Sequence, residues 1–213
     1  MNKLIVIFFF ACTLIFSCTE EKKTNVIGLQ SLNFFPNFYV DSISSAIERF
    51  YGFKTVALKN KIIPNNFFST TKSARYRADS IVDLLNREMP DDVYQIIGLT
   101  CVDISTTKKD KNGKTEEPVS FYENWAVCGL ANHSKPGSVV STFRVQGPNQ
   151  KLVIERIQKI SLHELGHNIG LRHCENINCC MHPKVESFKA VDSIALNLCI
   201  KCKTAAHQLS PKN

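Results

Sequence analysis

Residues 163–174 read His-Glu-Leu-Gly-His-Asn-Ile-Gly-Leu-Arg-His-Cys and combine three imidazoles with one carboxylate at close spacing. On an α-helix, His163 and His167 lie one turn apart on the same face, so their rings can converge on one metal ion. Gly170 can adopt the left-handed conformation that ends a helix, and the chain then turns so that His173 returns as a third ligand. Three neutral imidazoles leave one position of a tetrahedral ion open to water.

Glu164 follows the first histidine directly, which places its carboxylate beside the ion and within reach of a bound water. This is the position of a general base. Zinc lowers the pKa of its bound water to about 7, and the carboxylate can take that proton and pass it to a leaving amine. We therefore expect zinc-dependent hydrolysis of peptide bonds, with Glu164 as the catalytic residue. A chance pentapeptide on an ordinary helix is the alternative, and the glycine and third histidine argue against it.

Downstream of the third histidine, cysteines and a methionine recur at fixed intervals: Cys174, Cys179, Met181, Cys199 and Cys202. Together with the histidine motif, this spacing over residues 163–202 resembles the archaemetzincin family of metzincin-like zinc metallopeptidases. Weaker matches lie upstream at Pro64, Arg75-Tyr76-Arg77, Val102-Asp103 and Gly129-Leu-Ala.

The resemblance implies one metzincin-like domain that binds two zinc ions per chain. The catalytic ion would bind His163, His167 and His173. Met181 would lie in a tight turn beneath it. The second ion would be structural and would bind Cys174, Cys179, Cys199 and Cys202. Four thiolates fill a tetrahedral shell, so this ion would have no room for water or substrate.

The cysteines leave three alternatives open. Cys180 could replace Cys179, because the spacing changes by only one residue. Two disulfides could replace the second zinc site in an exported chain, although the Cys-x4-Cys and Cys-x-x-Cys pairs have metal-site spacing. Cys101 and Cys128 lie on separate predicted strands, and they could form a disulfide or remain buried thiols.

The N-terminal segment predicts export. Lys3 is the only charged side chain among the first eighteen residues, and residues 4–16 are apolar apart from Thr13. This run is too short to span a bilayer, and its end at Ser17-Cys18 resembles a bacterial lipobox. We expect a signal peptide over 1–17, lipidation of Cys18, a polar tether over 18–25 and the peptidase domain over 26–213. An ordinary cleaved signal or an uncleaved anchor is the alternative.

Such a protein would be anchored in the cell envelope of a bacterium, with the outer membrane as the expected site. The formal net charge of +7 permits attraction to anionic surfaces. No basic block is interleaved with aromatic residues, which argues against a nucleic-acid partner. The expected partners are a peptide or protein substrate and the membrane, and the expected oligomeric state is a monomer. The mixed run at 108–117 predicts a solvated hairpin or loop.

Hydrophobic periodicity predicts strands alternating with helices, without internal repeats. The expected strands are 26–32, 53–58, 93–104, 122–131 and 138–145, and the expected helices are 38–50, 73–88 and the long zinc helix 150–171. The predicted fold class is α/β (α+β), with a mixed, mostly parallel twisted sheet, an antiparallel edge strand and a C-terminal four-cysteine zinc subsite.

The resemblance also suggests how a substrate binds. In metzincin-like folds an antiparallel edge strand pairs with the substrate backbone, and residues 122–131 would be that strand. The alternative is that Trp125 and Val127 belong to the sheet core. His133 lies in a turn-like stretch and is expected at the surface, where it could flank the cleft. Two further functions remain open, a zinc-stabilised peptide-binding domain and a metal-trafficking lipoprotein; an intact Glu164 favours the enzyme.

Overall fold

The computed structural model describes residues 25–133, 135–183 and 188–210. The expected signal peptide and Cys18 lie outside the described residues. The strands are β1 Val26–Leu32, β2 Lys54–Lys61, β3 Phe68–Ser69, β4 Arg75–Arg77, β5 Gln95–Thr100, β6 Ile104–Thr106, β7 Trp125–Val127, β8 Gly129–Ala131 and β9 Gly137–Ser141. The helices are α1 Asn37–Tyr51, α2 Ala78–Arg87, α3 Val119–Tyr122, α4 Gln150–Ile169, α5 Phe188–Asp192 and α6 Ile200–Leu209.

The larger sheet has the strand order β2-β1-β5-β9-β8. Its first four strands are parallel, and β8 runs antiparallel to β9 at the edge. Every residue of β5 is buried, which is typical of a parallel strand that helices cover on both faces. This sheet confirms the predicted fold class. Among the described residues, no helix has the length and apolar character needed to cross a membrane.

Two hydrophobic clusters cover the two faces of this sheet. Ile97 and Leu99 of β5 face the cluster that contains residues of α1, α4 and α6, whereas Ile96 faces the cluster around α2. Helix α4 is buried along almost its whole length beyond Val153. The helix that carries two of the predicted ligands is therefore a central element of the core, and its position is fixed by packing on all sides.

A second sheet with the order β3-β4-β6-β7 lies beside the first. One carboxylate ties it to the segment after β9: Asp103 accepts hydrogen bonds from Arg75 Nε at 2.9 Å and from Arg144 Nε and Nη2 at 2.7 Å each. Arg75 also donates to the carbonyl of Asn124 at 2.8 Å. These contacts tie the second sheet to the segment after β9, and they involve Arg75 and Asp103, two of the upstream positions that resemble the family.

Several predicted elements have different bounds in the structure. The expected strand 122–131 is two strands, because the chain changes sheets at Cys128 between β7 and β8. The expected strand 93–104 likewise divides into β5 and β6, and the strand 138–145 ends at β9 before a 3-10 turn. The helix 73–88 starts later, because its first residues pair as β4 with β6. Periodicity alone does not reveal which sheet a short segment joins.

Candidate active site

Helix α4 is capped at both ends. The Asn149 side chain accepts a hydrogen bond from Leu152 N–H at 3.0 Å, which satisfies a free donor of the first turn. At the other end, Gly170 has φ 106° and donates to the carbonyl of His167, and Leu171 N–H donates to the carbonyl of Gly166 at 2.8 Å. This pair of bonds is a Schellman motif. The helix therefore ends at Ile169, two residues earlier than predicted, and the glycine turns the chain back towards the histidines.

The turn brings the three predicted imidazoles together. One nitrogen from each of His163, His167 and His173 lies within 4.8 Å of the others. His163 Nε2 and His167 Nε2 are 2.9 Å apart, and the His173 ring centroid is 5.3 Å from that of His163 and 4.9 Å from that of His167. The first two rings are buried and His173 is exposed. The group therefore has a buried side and an open side.

The outer nitrogens of the two buried rings are fixed by backbone carbonyls. His163 Nδ1 lies 2.7 Å from the carbonyl oxygen of Cys180, and His167 Nδ1 lies 2.9 Å from that of Leu171. Because a carbonyl oxygen only accepts, each Nδ1 carries the proton and each Nε2 presents a lone pair. Two lone pairs that face each other across 2.9 Å suit a shared cation, so the donor set fits zinc.

Burial also favours the neutral imidazoles that a metal requires. Desolvation and, to a smaller extent, the neighbouring His167 lower the pKa of His163 to about 3. Desolvation likewise lowers the pKa of His167 to about 4. Both rings are neutral at pH 7, which is the protonation state of a metal ligand.

Glu164 is 6% exposed and borders the same site. Burial raises the pKa of its carboxyl to about 8, and a hydrogen bond from the backbone of Ala131 opposes that rise. Gly129 lies directly against it: a Cβ at this position would be 2.7 Å from Glu164 Oε1 and 2.8 Å from its Cγ. The edge strand β8 therefore positions the carboxylate in two ways: the Ala131 N–H group donates to it, and Gly129 has no side chain that would collide with it.

A cavity of about 200 Å³ opens beside Glu164. Residues of β7 and of the following bend form one wall, and Lys108 lies on another, with its Nζ 5.0 Å from the Trp125 ring centroid. Lys108 begins the predicted 108–117 hairpin, which the Lys109–Thr115 bridge confirms. Trp125 and Val127 are half-buried, so the strand wall of the cavity is open to a ligand.

Beneath the histidines, Met181 is fully buried in the turn that the resemblance implied. Tyr51, the last residue of α1, donates from its hydroxyl to the carbonyl of Leu162 at 2.8 Å and lies 3.9 Å from Met181 Sδ. Gly166 faces both side chains, and a Cβ there would overlap them. Sequence reasoning missed Tyr51 and Gly166 and assigned no role to Gly129. A glycine within a strand pattern was the available signal for Gly129.

The four predicted cysteines also come together. One sulfur from each of Cys174, Cys179, Cys199 and Cys202 lies within 4.8 Å of the others. Cys174 Sγ and Cys199 Sγ are 3.8 Å apart. A regular tetrahedron with zinc–sulfur distances of about 2.3 Å has edges of about 3.8 Å, so the group fits a zinc ion. These cysteines are free thiols, and the expected alternative of two disulfides is not formed here.

The remaining cysteines lie apart from this group. Cys180 directs its Sγ to the carbonyl of Ala195 at 3.3 Å, and burial raises its pKa to about 12. Its neighbour Cys179 occupies the metal-site position, as the family spacing implied. Cys101 is exposed and Cys128 is buried, and both are free. His133 is exposed, as expected, and its ring centroid lies 4.4 Å from that of His167, so it flanks the site.

A metal-ligand helix that ends in a glycine turn, set against an antiparallel edge strand, is the architecture of metzincin-like metallohydrolases. Fold and site together assign the chain to that class. Comparison with known proteins identifies the family within that class. The family model described as Peptidase family M54 matches residues 39–208, and the chain belongs to this family.

Two relatives named archaemetzincin are similar to this chain. The archaemetzincin of Haloquadratum walsbyi is 32% identical over 171 residues, which cover 75% of this chain and 86% of that protein. The archaemetzincin of Methanopyrus kandleri is 30% identical over 165 residues, with 76% and 83% covered. The crystal structure of the latter protein has a TM-score of 0.70 at 26% identity and covers 88% of this chain and 96% of that one. The predicted family is confirmed, and the chain is a zinc metallopeptidase that acts on peptides or proteins.

Proposed function

We propose that the chain hydrolyses peptide bonds at the three-histidine site, with Glu164 as the general base. The observation that carries this proposal is the buried Glu164 carboxylate, which lies beside the ligand His163 and is oriented by the backbone of Ala131. A metal-bound scaffold alone does not require such a group, since burying a carboxylate without a partner charge is costly. The same carboxylate favours an enzyme over the alternative of a peptide-binding domain.

His163, His167 and His173 would hold the catalytic zinc, which supplies a Lewis acid and a bound water of lowered pKa. Glu164 takes a proton from the attacking water as the new carbon–oxygen bond forms. It then gives that proton to the amine nitrogen as the carbon–nitrogen bond breaks. Burial raises the pKa of the Glu164 carboxyl, which favours uptake of the proton, and a cation on the neighbouring histidines would favour its charged form before the reaction.

The free edge of β8 is the proposed binding surface for the substrate backbone. The Cys128 carbonyl accepts from Ser141 N–H at 2.9 Å, so by alternation Gly129 and Ala131 direct their backbone groups away from β9. Ala131 N–H reaches Glu164 from that edge. An extended peptide paired with this edge would pass the carboxylate, and a side chain next to the scissile bond would enter the adjoining cavity.

We also propose that the four-cysteine group holds a second, structural zinc ion. The fit of its sulfur spacing to a tetrahedral ion supports this. The group begins at Cys174, which is adjacent to His173 in the chain, and Cys174 N–H donates to the carbonyl of Met181 at 2.8 Å. Closing the second site would therefore also hold the third histidine and the turn below the first site.

The decisive experiment is digestion of a peptide library by the zinc-loaded protein and by Glu164→Gln, with Glu48→Gln on an exposed position of α1 as the matched control. We expect cleavage by the wild type and the control and a loss of about 10²- to 10⁴-fold in Glu164→Gln, with zinc content unchanged. Equal cleavage by all three proteins would remove Glu164 from the mechanism. Peptide binding without cleavage by any of them would favour the peptide-binding domain.

For location, we propose export and lipid anchoring through Cys18. The support is the apolar run at 4–16 followed by Ser17-Cys18. Two or more acyl chains would give stable attachment of the folded domain to an outer membrane. Labelling with radioactive palmitate in a bacterial host tests this, with Cys18→Ala as the comparison. Equal labelling of the two proteins would refute the anchor.

A further inference from the structure

His133 lies at the tip of a turn that follows the edge strand β8. The turn closes through Lys135 N–H, which donates to the carbonyl of Asn132 at 2.9 Å. Lys135 Nζ also binds Asp83 of α2 at 2.6 Å. The residue after the turn, Pro136, accepts a hydrogen bond through its carbonyl from Asn168 of α4 at 3.0 Å. The turn is therefore tied to the helices on both faces of the sheet, which limits where His133 can lie.

The ring of His133 reaches the open side of the three-histidine group. Its centroid is 4.4 Å from that of His167, at an interplanar angle of 64°. It is also close to the exposed third ring, since the pKa of His173 is lowered first by burial and next by His133. The ring contact with His167 places the imidazole of His133 at the rim of the site, on its exposed side.

His133 is placed beside the metal-ligand group and outside it. The three imidazoles with nitrogens mutually within 4.8 Å are His163, His167 and His173. The ring of His133 is exposed, so its nitrogens are accessible to a molecule in the cleft. Because His133 is not part of that mutual nitrogen group, its ring is better placed to hydrogen bond to an atom of a bound substrate than to serve as a ligand.

We propose that His133 donates a ring N–H hydrogen bond to the carbonyl oxygen of the scissile peptide bond as negative charge develops there. The inference rests on the proposed peptide hydrolysis at this site. When water adds to the carbonyl carbon, the electron pair of the carbon–oxygen double bond moves to the oxygen. A donor fixed by the turn stabilises that charge without needing to reorganise. His133 gains and loses no proton, which Glu164 alone transfers.

The test compares His133→Ala, His133→Gln and His207→Ala. Gln keeps an N–H donor of similar reach, and His207 is an exposed histidine on α6 that serves as the matched control. We expect kcat in His133→Ala to fall about 10- to 100-fold while KM changes by less than about threefold. His133→Gln should recover part of the loss, and His207→Ala should match the wild type.

A binding measurement separates stabilisation of the developing charge from other roles. A phosphinic pseudopeptide carries a tetrahedral anionic oxygen where the reacting carbonyl would be. Its affinity for zinc-loaded His133→Ala should fall in proportion to kcat, while the affinity of the cleavage-product peptide stays constant. In cobalt-substituted protein, the visible absorption of His133→Ala should match that of the wild type, because the ligands are unchanged.

Two results would overturn the proposal. A changed cobalt spectrum with weaker zinc binding would make His133 a ligand. Unchanged kcat and phosphinate affinity would make it a surface residue. If the wild type cleaves no peptide, the proposed function fails, and the phosphinate measurement still decides the role of His133, since equal affinity of wild type and His133→Ala would refute it.

Discussion

The three-histidine group and the four-cysteine group are separated by one peptide bond, between His173 and Cys174, yet their surroundings differ. One of the three imidazoles, that of His173, is exposed, and the neighbouring Glu164 lines a cavity of about 200 Å³ beside the edge strand. The sulfurs surround their centre, with Cys179 and Cys202 buried. Three ligands with an adjacent base permit chemistry, whereas four ligands saturate an ion and only fix the chain around it.

The difference extends to the bonds that hold each group. The two buried histidines are oriented from outside by carbonyls of Cys180 and Leu171, so their geometry exists before any ion binds. The cysteines join a loop to the start of helix α6, so an ion bound to them would link two segments that are distant in the sequence. We infer that metal binding should affect activity at the first site and folding at the second.

The largest expected effect is loss of catalysis by His167→Ala. This change removes a ligand and opens the shell of the first ion, so kcat/KM should fall by about 10³-fold or more. Zinc content should fall by one ion per chain, and the melting temperature should change little. Metal analysis, peptide cleavage and calorimetry of the same sample check this. If His167→Ala cleaved peptides at the wild-type rate, the contrast between the three-histidine and four-cysteine groups would not hold.

The next largest effect is loss of stability in Cys202→Ala. Removal of one sulfur from the second group should release its ion and lower the melting temperature by about 10 °C or more. Cys180→Ala is the matched control, because Cys180 is a buried thiol outside the group. The control should keep both ions and lose less stability. Equal melting temperatures and ion contents for the two variants would refute a structural zinc at the cysteines.

A smaller effect is expected from Gly129→Ala. The added Cβ would lie 2.7 Å from Glu164 Oε1 and 2.9 Å from Ile160 Cγ2, so the carboxylate must move. We expect kcat/KM to fall about 10- to 100-fold with zinc binding unchanged. Gly98→Ala is the control: its Cβ would lie 2.7 Å from Leu85 Cδ1 in the core, away from the site.

Because the Gly98→Ala change overpacks the core, it should cost about 1–3 kcal/mol of unfolding free energy and leave kcat of the folded protein intact. Steady-state kinetics and denaturant unfolding of both variants make the comparison. If Gly129→Ala lost only stability and kept its kcat, close approach of β8 to Glu164 would not matter for catalysis.

The smallest effect concerns a support of the zinc helix. Asp192 binds buried Arg156 of α4 through two hydrogen bonds of 2.8 and 2.6 Å, and this pairing holds the pKa of Asp192 below its usual range. Because the folded-state pKa is lowered, the stabilisation is present above the unfolded pKa of about 4 and is lost as the pH falls through the folded value.

Asp192→Asn should therefore lower the melting temperature by about 2–4 °C at pH 7. The difference in melting temperature between variant and wild type should shrink as the pH is lowered towards about 3. Thermal unfolding between pH 3 and 7 measures this, and metal content serves as the control. A difference between wild type and variant that stays constant with pH would exclude the ion pair as its source.

The histidine motif and its spacing were sufficient to predict the helix, its end near Gly170 and the three converging imidazoles. The reason is local, since helical pitch and a left-handed glycine determine where those side chains point. The first strand was predicted with its observed bounds, Val26–Leu32, for the same kind of reason: a short apolar run preceded a helical pattern. The family spacing likewise selected Cys179 over Cys180.

Residues from distant parts of the chain were harder to predict. Tyr51, Gly129 and His133 all contact the site, but nothing in their sequence neighbourhoods specifies the histidines as their neighbours. The strand over 122–131 was wrong as one element because β7 and β8 belong to different sheets. Pairing partners are chosen by the whole fold, and alternation of side chains is the same in either sheet.

By itself, the sequence determined the metal chemistry of this protein: which groups can bind zinc, which carboxylate can act as a base, and which sulfurs can form a closed shell. The histidine site follows from residue types and spacing within one helix and one turn, whereas the four-cysteine set was implied by the resemblance to the family. Only the tertiary structure decided what lies opposite them, namely the β8 edge, the cavity and His133. Those neighbours are brought together by long-range packing of the sheet against α4, which no local pattern encodes.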